Sequence, residues 1–124
     1  IPDKNHSKVC ESSFEFVLFR KGRFQVEKIY LDSDTPVPPH CHPNIDTYET
    51  HLTGSGTAFI EDRQLPYTMD YEKHHAKHRR LLIKAGEMHW GHAETKVVAL
   101  SFQEWLNGVS PTFITDDWVG DKWV

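Results

Sequence analysis

The residues best suited to chemistry fall in two short stretches. The first, Pro38 to Gly54, reads PPHCHPNIDTYETHLTG and holds His40 and His42 one residue apart, followed by Asp46, Thr47, Glu49 and His51. The second, AGEMHWGH, begins at Ala85 and supplies His89. On a strand, residues two apart share a face, so His40 and His42 present two imidazoles to one ion. His89 stands three residues after Gly86, at the expected start of another strand, and adds a third. Three imidazoles make a facial set with open positions for water or substrate. A His-x-His pair also arises by coincidence, and a single His at a strand start can be an ordinary core or surface residue. The rigid Pro-rich run before His40 and the strand expected after it favour the ion site.

The remainder of the chain must supply strands to carry these residues. FEFVLF at Phe14 to Phe19 is rich in strand formers, and Phe24 to Leu31 alternates imperfectly, with a turn at Arg20 to Arg23 between them. DSDTPVPP at Asp32 to Pro39 is a loop, because three prolines in four positions exclude helix and central strand. Further strands are expected from His40 to Thr53, Thr57 to Glu61, Leu81 to Lys84, at His89, and from Lys96 to Trp105, with Gly54-Ser55-Gly56 as a turn. Residues 62–80 show no period and are expected to form one long excursion, with a helical turn near Tyr71 to Lys77. Phe59, Leu82, Val98, Leu100 and Phe102 are the expected core, while Trp90 and His92 are expected to face away from the ligand face of their strand. Many short strands and no long amphipathic helix indicate an all-β sandwich or barrel.

Size and composition bound the rest. The 124 residues fit a single domain with its own core: about 14–106, with an N-terminal arm at 1–13 and a C-terminal tail at 107–124. Trp118 and Trp123 in that tail are expected to pack on the domain or on a second subunit. The net charge of −4 argues against nucleic acid as the main partner, and no apolar run reaches membrane-spanning length. The basic run EKHHAKHRR from Glu72 to Arg80 reads as an anion contact or as a solvated loop, and His74 and His78 within it as a second metal pair or a surface loop. Cys10 and Cys41 are too few for a disulfide scaffold, so reduced thiols in a cytoplasmic protein are expected, with Cys41 a buried small residue rather than a ligand.

These residues resemble the cupins, small jelly-roll β-barrels also described as double-stranded β-helices. The first cupin motif runs Gly, five residues, His-x-His, three or four residues, Glu, six residues, Gly. His40, His42 and Gly54 fit it, Asp34 replaces its first Gly, and Thr47 replaces its Glu. The second runs Pro-x-Gly, two residues, His, three residues, Asn. Gly86 and His89 fit it, while Lys84 and Ala93 replace its Pro and Asn. The resemblance spans roughly Phe24 to Phe102. It implies an all-β cupin barrel holding a divalent transition metal on His40, His42 and His89, with Fe expected first and Mn, Ni or Zn as alternatives. The motif Glu is usually a fourth ligand. Its loss leaves Asp46 (if the strand bulges), Glu49 or His51 to fill the gap, or a three-histidine site like that of some dioxygenases acting on thiols or diketones. In the last case Glu49 and His51 line the pocket as substrate contacts or acid/base groups, or are simply hydrogen-bonded interior polar residues. The implied activity is a metal-dependent dioxygenase acting on a small organic molecule, in a homodimer. A non-catalytic ligand-binding or sensing barrel and an isomerase or lyase are the alternatives. A metal-free epimerase ranks below these, because neither Tyr48 nor Tyr67 is evidently placed as its acid.

Overall fold

A computed structural model describes residues 6–7, 13–68, 80–106, 108 and 122–123. All regular structure in them is β: β1 His6–Ser7, β2 Ser13–Lys21, β3 Phe24–Leu31, β4 Thr35–Cys41, β5 Ile45–Thr53, β6 Ser55–Ile60, β7 Arg63–Thr68, β8 Arg80–Ile83, β9 His89–Ala93, β10 Val97–Trp105 and β11 Lys122–Trp123. They form two antiparallel sheets, ordered β1-β2-β3-β10-β5-β8 and β11-β4-β9-β6-β7. Apolar clusters join the sheets. Ile60 of one packs with Leu81 and Ile83 of the other, and Tyr67 and Ala93 pack with Val97. No helix among the described residues is long and apolar enough to cross a membrane.

Three of the expected elements differ. The Pro-rich stretch is strand β4 rather than a loop; Pro38 and Pro39 sit where the ladder to β9 is interrupted, while Pro36 stays in register opposite His92. Ser55 and Gly56 open β6 rather than finishing a turn. Residues 62–80 are not a single excursion: Arg63–Thr68 is an edge strand paired with β6. The helical turn near Tyr71 to Lys77 and the pair His74 and His78 lie outside the described residues, as do Cys10 and Trp118. Cys41 is a free, buried thiol.

The expected core is reversed. Leu82 and Phe102 are exposed, Val98 and Leu100 lie on the same outer face of their sheet, and Phe59 stacks on Trp90 outside the other sheet. The inward positions of β10 are Val97, Ala99, Ser101, Gln103 and Trp105. Polar side chains fill much of this interior. Gln25 and Gln103 each donate to Glu27 at 2.9 Å, and Trp105 Nε1 donates to Gln103 Oε1 at 3.1 Å. Burial pushes the Glu27 carboxyl up from its ordinary value, against the hydrogen bonds from Glu15, Gln103 and Gln25 and the charge of Arg20, which favour its ionised form. A satisfied buried network of this kind can replace an apolar core without orphaned groups.

The motif positions carry backbone constraints. Gly54 has φ +94, and a Cβ there would lie 2.3 Å from the Lys96 carbonyl oxygen. Gly86 has φ +84. Asp34, where the cupin motif has Gly, adopts φ 57, a left-handed conformation that Asp tolerates better than most residues. Its carboxylate also meets His92 Nε2 at 2.7 Å, on the outer face.

Candidate metal centre

A two-residue bulge decides which face of β4 carries the histidines. Thr35 pairs with Ala93 and Val37 with Gly91, and both face inward. Pro38 and Pro39 then stand together opposite Trp90 alone, and pairing resumes at His40 with His89. Without the extra residue, the inward series from Thr35 and Val37 would continue through Cys41. The bulge turns His40 inward instead, and His42 follows two residues on. Deleting Pro39 is therefore expected to rotate both histidines off the inner face. A chain with retained β circular dichroism but no metal uptake is the expected result, and unchanged uptake would refute the role given to the bulge.

His40, His42 and His89 are all buried, and their candidate ligand atoms lie within 4.8 Å of one another. Their ring centroids are 4.1 Å apart for His40–His89 and 4.9 Å for each of the other pairs. His40 Nδ1 donates to the Pro38 carbonyl at 2.8 Å, and His89 Nδ1 donates to the Glu87 carbonyl at 3.0 Å. Each ring is thus held by a carbonyl two residues earlier in the chain, which fixes the tautomer and leaves Nε2 as the lone-pair donor. Burial, then the neighbouring His42, holds the His40 ring down at about 4 against the Pro38 hydrogen bond. Burial, then His40 and His42, holds His89 at about 3. Both are neutral imidazoles at neutral pH, the form that ligates, so the donor set fits a divalent transition metal.

The two motifs are tied together beside this cluster. The His42 carbonyl accepts from Gly86 N at 3.0 Å. Asp46 Oδ1 accepts from Ala85 N at 2.8 Å, and Asp46 Oδ2 meets Lys84 Nζ at 3.6 Å. Asp46, one of three candidates for a fourth ligand, is engaged through both oxygens and lies outside the three-histidine group. Ligation needs a bulge near Asp46, but β5 pairs with β10 without interruption from Ile45 to Thr50, and the one shift between them falls at Val98/Ala99. Asp46 therefore faces out and latches the turn that presents His89.

Thr47, Glu49 and His51 do share the inward face of β5, where Thr47 and His51 are buried. Neither Glu49 nor His51 falls within the three-histidine group. With Tyr67 they line a cavity of about 100 Å³ that His40 and His89 also reach. Glu49 is partly buried and lines this cavity. Burial raises its carboxyl to about 7, with His42 pulling the other way. His51 stacks on Tyr67 at 3.9 Å and 15°. Tyr67, which the sequence leaves without an evident place, joins the site. It stands opposite Gly56, where a Cβ would be 2.7 Å from the phenol oxygen, so Gly56 makes the room it occupies. Burial, then Glu49 and Glu94, raises the Tyr67 phenol, which stays protonated at neutral pH. A Gly directly across a hairpin from a Tyr is the available signal, hidden because RQLPYT shows no clear strand period.

No family model matches the sequence, and no curated protein does. Solved structures share its fold. A cupin superfamily protein from Desulfitobacterium hafniense is 12% identical, covers 78% of this chain and 80% of that one, and superposes with a TM-score of 0.60. KdgF from Halomonas sp. is 12% identical over 82% of this chain and 86% of that one, with a TM-score of 0.67. Salicylate 1,2-dioxygenase from Pseudoaminobacter salicylatoxidans, determined with gentisate, is 11% identical over 79% of this chain and 26% of that one, with a TM-score of 0.65. The protein has the double-stranded β-helix fold of the cupins. Its interior brings three histidines together in a group that could hold a metal ion.

Proposed function

We propose that this protein is a metal-dependent cupin oxidoreductase, a dioxygenase acting on a small organic molecule. The observation that carries the reading is the set of three buried imidazoles, two of them held by backbone carbonyls, beside a small cavity. Three neutral ligands leave the full charge of a divalent ion unquenched, and with iron such a centre supplies one-electron chemistry with dioxygen. The salicylate 1,2-dioxygenase of similar fold supports the same class. A cavity of about 100 Å³ is small beside the roughly 300–1,000 Å³ of drug-sized sites, which points to a substrate of few heavy atoms.

The chain's own groups have distinct parts in this reading. His40, His42 and His89 hold the ion. Glu49, raised to about 7, can hold or release a proton near neutral pH. Tyr67, protonated and stacked on His51, offers a hydrogen-bond donor at the cavity wall, and the stack fixes its plane. The apolar side chains of Ile60, Leu81 and Ile83 keep water from the rest of the cavity. The proton-handling Glu49 also favours a second reading, an isomerase or lyase with the ion as Lewis acid.

Oxygen uptake by the iron-loaded protein, screened against small carboxylic acids, thiols and diketones, tests the proposal. The expected result is uptake with one substrate class, reduced about 10²–10⁴-fold in Glu49→Gln. Conversion that proceeds equally without oxygen would overturn the dioxygenase in favour of proton transfer. Tight binding of a ligand without turnover would make the barrel a binding module.

A further inference from the structure

We infer that the substrate carries an ammonium group, received in the cavity by the carboxylate of Glu49. The inference rests on the reading of that cavity as the substrate site of a metal enzyme, and it narrows the substrate to a small amine.

The charges around the cavity point this way. Among the described residues, its titratable lining is Glu15, Glu49, Tyr67 and histidines, with no Lys or Arg. A substrate carboxylate or phosphate meets no positively charged side chain of Lys or Arg on this wall, and it faces two acids. A positively charged group meets the opposite situation.

The two acids differ. Glu15 is hydrogen-bonded to Glu27, within the network that Gln25 and Gln103 complete. Glu49 has no such engagement. No hydrogen bond or ion pair with a described residue reaches its carboxyl, and the one neighbouring group that favours its ionised form is His42. Nor is it sealed in. Among the described residues, the one fully enclosed side-chain polar atom without a partner is Thr35 Oγ1. The Glu49 oxygens therefore open onto the cavity, where a bound molecule supplies the partner that the chain does not.

A cation completes such a carboxylate best, because burial penalises its charge until that charge is paired. A hydroxyl satisfies one lone pair and leaves the charge unpaired. An alkylammonium offers three N–H donors as well as the charge. The Tyr67 phenol oxygen is a further acceptor, near enough for the charge of Glu49 to help hold its proton on. The rest of the lining is largely apolar, with Ile29, Leu31, Val37, Ile60, Leu81 and Ile83 among it, and the space is about 100 Å³. Apolar walls with a few polar groups that fix orientation suit a short aliphatic chain with its ammonium at Glu49. The other end of that chain faces His40 and His89 and carries the donor atom for the ion.

Chemical-shift titration of the metal-free full chain with millimolar propylammonium, n-propanol and propionate tests this. It is run at mildly alkaline pH, where Glu49 is ionised and an alkylamine is still protonated. Propylammonium is expected to bind at least about 10-fold more tightly than either of the others, a preference lost in Glu49→Gln. Glu49→Asp keeps the charge and is expected to keep the preference. Propionate or n-propanol binding as tightly as propylammonium overturns the inference. So does an affinity for propylammonium that is unchanged in Glu49→Gln, or no binding of propylammonium at all. Zn(II) uptake by the same protein is read separately. Uptake without an ammonium preference sinks this inference and spares the metal centre, whereas a preference without uptake does the reverse.

Discussion

His89→Ala is expected to abolish metal binding while leaving a folded barrel. His89 is buried, its Nδ1 is committed to the Glu87 carbonyl, and its ring is 4.1 Å from that of His40. Loss of a partner that only orients a ligand costs about 10–100-fold in metal affinity, so loss of the ligand itself should cost at least ~100-fold. Asp46→Ala is the informative comparison. It removes the acceptor of Ala85 N and the partner of Lys84, but no imidazole. Weakened but measurable binding is expected there, because the turn before His89 loses its latch. Calorimetric titration with Zn(II) or Mn(II) separates the two outcomes. Equal loss in both variants would mean that Asp46 is a ligand after all.

Glu49→Gln is expected to stabilise the metal-free protein at neutral pH. The Glu49 carboxyl sits at about 7 in the folded state, against 4.5 when unperturbed. Between these values the folded chain keeps a proton that the unfolded chain has released. Its contribution to stability is therefore full below pH 4.5, declines as pH rises to 7, and stays lost above that. Gln carries no such charge. The advantage of Glu49→Gln should grow from near zero at the unperturbed value to about 3 kcal/mol above the folded one, since each pH unit between the two contributes about 1.4 kcal/mol. The titrations of His40 and His89 are common to both proteins and cancel in the difference. Denaturant unfolding of the two metal-free proteins at several pH values reads this directly. Stability curves that run parallel with pH would show Glu49 to be an ordinary solvated carboxylate, unsuited to proton transfer in the cavity.

A stability cost of that size at a residue facing the ligand cluster is the kind of strain expected where function constrains sequence. The same tension explains what the sequence reveals and what it hides. The period-two spacing of His40 and His42 and the Gly86–His89 turn are local signals, and the spacing puts the two imidazoles on one face because local geometry dictates it. The Pro38–Pro39 bulge is also local, yet its effect is a change of face, which composition does not show; three prolines read most naturally as a loop. The expected core falls on the wrong side of β6, β8 and β10 because apolar alternation identifies two faces without saying which is inside. Here the inner face carries Gln25, Glu27, Ser101 and Gln103, hydrogen-bonded to one another, while Tyr48, Leu82 and Phe102 lie outside. The roles of Asp46 and Tyr67, though both residues are visible in the sequence, escape it for a third reason. Their roles depend on partners distant in the chain, Ala85 for one and His51 and Gly56 for the other.

The central claim is that three imidazoles and no protein carboxylate hold one divalent ion. X-ray absorption of the Zn(II)-loaded protein tests it most directly. The expected result is stoichiometric metal with three imidazole nitrogens at about 2.0–2.1 Å, and the remaining coordination completed by solvent. A first shell with fewer than three imidazoles or with a protein carboxylate, or a protein that takes up no stoichiometric metal, would contradict it.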